Sequence, residues 1–535
     1  MIKELLTKIL SNSPQITFKT PQNDSEETKK LTSEIDINLE ILQAFFHLCE
    51  DIVSKEFLLD LPTPTRAFII YAESLCDPVM VNESILKSLM QKNFFQTLEI
   101  STTKANLPEI ILQRLLPNHQ TQLVSDIQQL SNFLLSGHLI LVIDGYSTAI
   151  ATAVQGYEQR AVNEPSTEQS IRGPRDSFVE NLSTNVSLLR RRISSNRLKY
   201  QSITLGKLTH TKVGICYIQG IANDKIVEEV KVRLNRIDID SILDSGYIEE
   251  LIADESFTLF PLVQNTERPD RTAASLCEGR IAIIVNNTPS VLIVPCTIVS
   301  LLQASEDYYN NNLFATLIRI GRFIAINIAL LAPAITIAVF SNNAELIPLT
   351  FLTTVAGARS DLPFPISIEI ILMELTFELL REAGVRLPKT VGQAISTVGG
   401  LVIGQAAVTA GIVSPITVIV VSITAIASFV FPDYSIGTSI RILRFVLIIL
   451  SSILGIFGIV SGLMVILYHL CGLRSFGVPY LSPIAPLSVS DLKDTFFRAP
   501  WWAMSTRPRL TGAEEPIRQA SKQGPTKPDK EVHDP

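Results

Sequence analysis

Residues 319–340 read RIGRFIAINIALLAPAITIAVF, and this stretch divides the 535-residue chain into two halves of different chemistry. It is long and apolar enough to cross a bilayer as one helix, which needs about 20 apolar residues. Three further segments pass the same test, at residues 391–412, 414–431 and 441–469. The sequence therefore predicts an all-α polytopic transmembrane domain behind a soluble first half.

The segment at residues 344–383 is harder to assign, because apolar runs alternate with acidic residues and the segment could span, re-enter or lie at the membrane interface. Its acidic residues include Glu345, Glu369, Glu374 and Glu378. Positive charges precede the first predicted span and follow the last, which favours two cytoplasmic ends and four or six crossings. Four crossings would leave on the outer side Arg359, Arg381, Arg386 and Lys389.

Composition and motifs argue against several classes of function. The net charge is −7 and 47% of residues are hydrophobic. The short run Arg190–Arg192 is interpreted as a solvated helix face, so binding to nucleic acid is not expected. The six cysteines form no CxxC pair, and none of the six histidines has metal-ligand spacing. No GxSxG, HExxH or GxxxxGK[ST] motif occurs, so we expect no enzyme, no cofactor and no metal.

The first half contains the same α/β pattern twice. Residues 67–89 read as a strand, a turn and an amphipathic helix, and residues 213–234 repeat that order. A second strand with a turn follows each copy, at residues 138–150 and 280–294. The fold class predicted is thus an α/β soluble N-terminal domain of two similar subdomains, followed by the helical membrane domain.

This repeat decides how residues 281–302 are interpreted. They are long enough to span a membrane, yet Asn286–Pro289 lie where a hairpin turn would fall. Alignment with residues 138–150 favours a soluble hairpin followed by a helix.

The expected organisation has five parts. Met1–Leu10 lack the apolar core of a signal peptide, so the soluble half is expected to stay in the cytoplasm. The predicted boundaries are a flexible lead-in 1–35, subdomain 1 at 36–160, subdomain 2 at 161–305, a transmembrane domain 306–475, and a mostly disordered cytoplasmic tail 476–535.

Candidate ion-path residues come from two predicted helices. Glu374 and Glu378 stand one turn apart on the same face of an otherwise apolar helix. Repeated around an oligomer, they would attract cations, although the two acids could instead face water or pair with Arg381 and Arg386. Gln393 and Thr397 share a face of the 391–412 helix that could line a pore or form a subunit contact.

Small residues mark candidate helix contacts, because they let two helix backbones approach closely. They recur every four residues in the 391–412 segment and again in the last span. The predicted packing residues are Gly392, Ser396, Gly400, Gly404, Gly458 and Gly462.

Four stretches together resemble one family. They are GPRDSFVENLSTNVSLLRRRI at 173–193, IDGYS at 143–147, the long run beginning LPFPISIEIILMEL at 362–415, and RPRL at 507–510. They resemble the A subunit of GerA-type spore germinant receptors over roughly residues 35–510.

The resemblance implies a multi-pass protein of the inner membrane of bacterial spores, with its soluble domain on the core side. Such A subunits assemble with a transporter-like B subunit, which carries the nutrient pocket, and with a lipoprotein C subunit. The family's A subunit is thought to oligomerise into a channel that releases monovalent cations and starts germination.

Two alternatives stay open at this point. A paralogue of the stage V sporulation protein AF type would act as an accessory channel, and the long lead-in and tail favour the receptor subunit over it. A secondary transporter would show paired broken helices in inverted repeats, whereas only one broken region, 344–365, is visible.

Overall fold

A computed structural model describes residues 30–59, 64–90, 107–114, 120–156, 165, 168, 172–386, 402–509, 513–520 and 523–526. These residues form two compact units. The α/β unit comprises the described residues up to Ala253, Val263–Pro295 and those from Trp501 onward, and the helical unit comprises Asp254–Leu262 and Cys296–Pro500.

The first half of the α/β unit is a five-stranded antiparallel sheet with helices on both faces. The elements in chain order are α1 Ile35–Phe45, β1 Ile52–Leu59, β2 Thr65–Ala72, a π-helical turn Met80–Leu86 continued by α2 Lys87–Leu89, α3 Leu107–Arg114, β3 Thr121–Val124, α4 Ile127–Leu135, β4 His138–Ile143 and β5 Ala149–Ala153. The strand order is β1-β2-β4-β5-β3.

Alternation along β2 shows why both faces carry helices. Phe68 and Ile70 pack with α1 and α4 on one face, whereas Ile69 packs with Val81 and Ile85 on the other. Successive strand residues point to opposite faces, so an uninterrupted apolar strand is buried on both.

The second half repeats this arrangement. Its elements are α5 Leu182–Arg192, β6 Leu198–Leu205, β7 Thr211–Ile218, α6 Asp224–Asn235, α7 Ser245–Ile252, β8 Gln264–Thr266, α8 Pro269–Cys277, β9 Ile281–Val285 and β10 Val291–Val294. The strand order β6-β7-β9-β10-β8 matches that of the first sheet strand for strand. The predicted α/β repeat is confirmed.

The hairpin predicted around Asn286–Pro289 is also confirmed. Strand β9 pairs antiparallel with β10, with Ile284 opposite Val291. Asn287 has φ +73°, a left-handed conformation that asparagine tolerates better than most residues. A short helix α9, Ile298–Leu302, follows the hairpin.

The rest of the helical unit up to residue 472 consists of helices of different lengths. They are α10 Glu306–Tyr309, α11 Asn312–Ile337 with a π-helical extension Ala338–Asn342, a 3₁₀ turn Ala344–Leu346, α12 Leu349–Arg359, α13 Ile366–Arg386, α14 Pro415–Ser428, α15 Tyr434–Leu454 and α16 Ile456–Gly472. Asn312–Asn342 and Tyr434–Leu454 are long and apolar enough to cross a membrane, with mean hydropathy 2.4 and 1.8. Pro415–Ser428 and Ile456–Gly472 are shorter apolar helices.

The prediction of one continuous span at 441–469 is wrong. The chain turns at Gly455, whose φ of +61° favours glycine, and α15 and α16 lie on either side of it. A Cβ atom at Gly455 would also come within 2.9 Å of Asn342 Cβ. The local hydropathy is uniform across this turn, so it gave no sign of the break.

The sequence predicts a mostly disordered tail, and this prediction does not hold for the part of the tail packed against the helical unit. A two-stranded hairpin, β11 Arg474–Ser475 and β12 Val478–Pro479, follows α16. Tyr480 is fully buried in the core of the helical unit beside Phe260 and Leu262.

Farther along the tail, Arg507 belongs to the α/β unit. Its guanidinium donates to the carbonyl oxygens of Cys277 at 2.8 Å and Glu515 at 2.9 Å. At the other end of the chain, the predicted lead-in up to residue 29 lies outside the described residues.

Candidate ion-path residues in the helical unit

Helix α13 carries the acidic residues singled out in the sequence. It begins just after Pro363 and Pro365, which favour a helix start because proline cannot continue a preceding helix. Glu374 is 0% exposed and Glu369 1% exposed. Carboxylates at such depth need partners, and each has an arginine.

Arg444 of α15 is the partner of Glu374. Its Nη2 lies 3.0 Å from Glu374 Oε2, and the side chains of both residues are 1% exposed. Neither carboxylate oxygen of Glu374 makes a hydrogen bond with the described residues, and Nε and Nη1 of Arg444 have no acceptor there either. The pair is thus a charge contact without the hydrogen bonds that usually accompany buried ions.

Glu378 extends this contact by one helical turn. Its Oε1 accepts a hydrogen bond from Arg444 Nη2 at 3.2 Å, and its Oε2 accepts one from Arg381 on its own helix. Arg386, the other arginine considered from sequence, pairs with Glu382 at 2.6 Å. Two carboxylates and two guanidinium groups therefore form a neutral network at the contact between α13 and α15.

Glu369 lies in a much better satisfied site. Its Oε1 accepts from Arg359 Nη2 at 3.0 Å. Its Oε2 accepts from the backbone N–H of Ser414 at 2.8 Å and from Thr417 Oγ1 at 2.9 Å. The carboxylate thereby caps the start of α14 from a different helix, where the helix dipole favours negative charge.

A second buried network stands at the start of α11. Asp307 Oδ2 accepts from Arg319 Nε at 2.9 Å and from Arg322 Nη1 at 3.0 Å. Arg319 Nη1 also donates to Asp494 Oδ1 at 2.8 Å, and the backbone N–H of Arg498 donates to Thr316 Oγ1 at 3.1 Å. The start of the first apolar helix and the segment after the last one consequently lie at the same end of the helical unit.

Several predicted residues fall where the structure gives no description. Outside the described residues lie Gly392, Gln393, Ser396, Thr397 and Gly400. A pore or packing role for these five stays a prediction.

The other three predicted packing glycines differ in how close the nearest neighbouring atom would lie to an added Cβ atom. A Cβ atom at Gly458 would lie 2.2 Å from the carbonyl oxygen of Leu450, and one at Gly462 would lie 2.6 Å from Leu447 Cδ2. Both contacts join α16 to α15 within one chain. At Gly404 the nearest atom, Val418 Cγ1, would be 3.5 Å away, an ordinary van der Waals distance.

Sequence reasoning missed Arg444, although a signal for it was present. An arginine inside the apolar run ILRFVLIIL is costly in a membrane and therefore marks a partner or a function. Among the described residues, no group of three or more His, Cys, Asp or Glu side chains is placed to hold a metal ion. The chemistry available here is charge pairing between helices.

Comparison with known proteins identifies the family. The sequence model described as Bacillus/Clostridium GerA spore germination protein matches residues 40–510. The chain is 44% identical over 475 residues to spore germination protein KA of Bacillus subtilis (strain 168), covering 89% of this chain and 86% of that protein. It is 42% identical over 485 residues to the uncharacterized membrane protein YfkQ of the same strain, covering 91% and 93%.

A solved structure is also similar to this chain. The crystal structure of the N-terminal domain of the A subunit of the Bacillus megaterium spore germinant receptor GerK3 has 34% sequence identity and a TM-score of 0.40, and covers 50% of this chain and 97% of that one. Because the family model spans most of the sequence and the relatives are aligned over nearly their full length, this chain belongs to the GerA family of spore germination proteins.

Proposed function

We propose that this chain is the non-catalytic A subunit of a nutrient germinant receptor, and that several copies form a cation channel in the inner membrane of the spore. In this proposal a transporter-like B subunit binds the nutrient and a lipoprotein C subunit completes the receptor. The observation that carries the proposal is the match to the GerA family over residues 40–510.

A place in the membrane is supported by the apolar helices α11 and α15 and by the name of YfkQ, a membrane protein of similar length. The contacts of Arg319 with Asp494 and of Thr316 with Arg498 support an even number of crossings, since they join the start of the first span to the segment after the last helix. The positive-inside tendency then favours the cytoplasmic, core side for both.

The ion path is proposed to include the network of Glu374, Glu378 and Arg444. In one chain Glu374 is enclosed, so its charge is held by Arg444 rather than offered to a passing ion. Glu378 is the more accessible acid, with 21% of its side chain exposed. Both of its oxygens are held by arginines in this arrangement. We propose that movement of α13 against α15 on opening separates Glu378 from Arg444, so that its carboxylate can attract cations.

The test uses the chain reconstituted with its B and C subunits in vesicles loaded with K⁺. A mixture of amino acids and sugars is added, and K⁺ release is followed with an ion-selective electrode. We expect release that depends on the nutrient and on this chain. An assembled complex that releases no K⁺ would contradict the proposal.

A pair of variants tests the assigned acid. Glu378→Lys is expected to lower K⁺ release several-fold, because it places a positive charge on the proposed path. Glu382→Lys is the matched control, one turn along the same helix and 59% exposed at its side chain. Equal release from the two variants, at equal amounts of assembled complex, would remove Glu378 from the ion path.

A further inference from the structure

The longest apolar helix carries an exposed stripe along one face. Ile320, Ile324, Asn327, Leu331 and Ile335 recur at spacings of three and four residues, which places them on one side of α11. They line a groove of about 760 Å³, together with Phe496 and Phe497. From Ile320 to Ile335 the stripe is about 22 Å long at 1.5 Å per residue.

Asn327 is the polar residue in this stripe. It lies five residues after Arg322, inside the uncharged part of α11 that begins at Phe323. Its side chain is exposed, and its Nδ2 donates to the carbonyl oxygen of Phe323 at 2.8 Å. Within the described residues, the Oδ1 acceptor and the second N–H of the amide have no partner.

Lipid is a poor occupant for such a position. A spanning α11 would hold Asn327 inside the bilayer, about 7.5 Å along the helix from Arg322, where hydrocarbon offers no hydrogen bonds and an unsatisfied amide costs free energy. Polar residues at that depth usually face another helix or water. The exposed stripe of α15, formed by Ile442, Val446, Ile449 and Ile453, is apolar throughout and suits lipid contact.

Two carboxamide groups can hydrogen-bond to each other, because each one has N–H donors and an oxygen acceptor. Copies of one membrane protein share the same orientation, so their asparagines lie at the same depth, and they meet one another where α11 faces the symmetry axis of the assembly. Asn side chains hydrogen-bond across helices in this way in membranes. A lipid chain could fill the groove but could not satisfy the amide.

We propose that this stripe is the seam at which α11 helices of neighbouring copies of the chain pack, with Asn327 bonded to Asn327. The inference rests on the proposed oligomeric channel and names the surface that assembles it. Ile320, Ile324 and Ile335, exposed to 37%, 55% and 46%, supply the apolar contacts on either side of the amide pair.

Photo-cross-linking of the full chain in native membranes tests the seam. Benzoylphenylalanine replaces Ile324 in one variant and Ile449, the matched apolar control on α15, in another. We expect cross-linked dimers of this chain from position 324 and none from position 449. A product that contains lipid or a different protein alone would overturn the seam.

Two substitutions measure the amide itself. Asn327→Leu is expected to weaken self-association by about 3- to 30-fold, the range for one interhelical hydrogen bond in a membrane, and Asn327→Gln should restore most of it. Both are measured as oligomer mass against protein concentration in detergent. Self-association of Asn327→Leu equal to the wild type would overturn the amide pair.

The outcomes separate this inference from the channel proposal. An oligomer that conducts K⁺ but cross-links through position 449 places the seam elsewhere and leaves the channel standing. A chain that is monomeric at all concentrations and releases no K⁺ removes both.

Discussion

Two buried arginine–carboxylate pairs, one in each unit, differ in how completely they are satisfied. In the α/β unit, Arg190 donates from Nε and Nη2 to the two oxygens of Asp51, both at 2.8 Å, and from Nη1 to the carbonyl of Ser195 at 3.3 Å. In the helical unit, Arg444 meets Glu374 through one nitrogen and leaves both carboxylate oxygens without hydrogen bonds.

The surroundings of the first pair show what it does. Asp51 belongs to the first half of the α/β unit and Arg190 to the second, and the backbone bonds between Tyr200 and both Leu48 and Glu50 lie close by. Burial lowers the pKa of Arg190, but the charge of Asp51 outweighs burial and leaves that pKa above its ordinary value. This pair fixes two subdomains in one arrangement.

The second pair has a different consequence. A buried ion pair contributes to stability only if hydrogen bonds replace the lost hydration of both ions. Glu374 and Arg444 lack most of these bonds, so they hold α13 against α15 less firmly than their charges suggest. A contact of this kind can separate at lower cost, as the opening movement of α13 against α15 in the channel proposal requires.

The largest expected effect is on the first pair. Asp51→Asn keeps the side-chain volume but leaves Arg190 buried without a countercharge, and should lower the free energy of unfolding of the α/β unit by about 3–5 kcal/mol. Pulse proteolysis of the full chain in a urea series measures it. Asp36→Asn, which neutralises one of the two exposed acids paired with Arg66, is the control and should change nothing measurable. Equal behaviour of the two variants would show that Asp51 is not a structural contact.

The second prediction compares the pairs directly. Arg444→Leu alone should destabilise the helical unit by about 3 kcal/mol, whereas adding Glu374→Leu should recover most of that loss, because a poorly satisfied pair is replaced by apolar packing. Melting temperatures in detergent measure both. The control is Asp51→Leu with Arg190→Leu, which should not recover, since it removes an ion pair in which two hydrogen bonds of 2.8 Å already join the guanidinium to both carboxylate oxygens. If both double variants regained the melting temperature, or if neither did, the two ion pairs would not differ in the way described.

The third prediction sharpens the contrast within α13. Glu369→Gln should cost about 1–3 kcal/mol, because an amide N–H₂ would face donors where the carboxylate accepts from Ser414, Thr417 and Arg359. Glu374→Gln should cost less, since its oxygens accept no hydrogen bonds. The melting temperature in detergent reports both. The reverse ranking would mean that Glu374 is the better satisfied acid.

The smallest effects concern contacts without charge. Gly458→Ala should destabilise the α15–α16 hairpin by about 1–3 kcal/mol, because its methyl group would meet the backbone oxygen of Leu450. Gly462→Ala should cost less, since Leu447 is a side chain that can shift. Gly404→Ala should leave the melting temperature unchanged, as its nearest neighbour is at ordinary contact distance. A large loss at Gly404 would indicate a close contact with another copy or another subunit.

Sequence and structure agree best where the signal is local. The repeat of strand, helix and hairpin, the turn at Asn286–Pro289 and the long helix through residues 319–340 all follow from periodicity and turn chemistry within about twenty residues. The two acids Glu374 and Glu378 were also visible as costly charges in an apolar helix. Their use as an ion path stays a prediction.

By itself the sequence determined the family, the α/β repeat and the apolar helices, because composition and period along the chain decide each of them. Only the tertiary structure decided that Arg190, interpreted from sequence as part of a solvated face, is fully buried against Asp51, and that Arg444 holds Glu374. The members of each pair lie far apart in sequence, and several arginines could serve each carboxylate equally well. Which one does so depends on which helices pack together and on how far water is excluded, and neither property can be obtained from a local pattern.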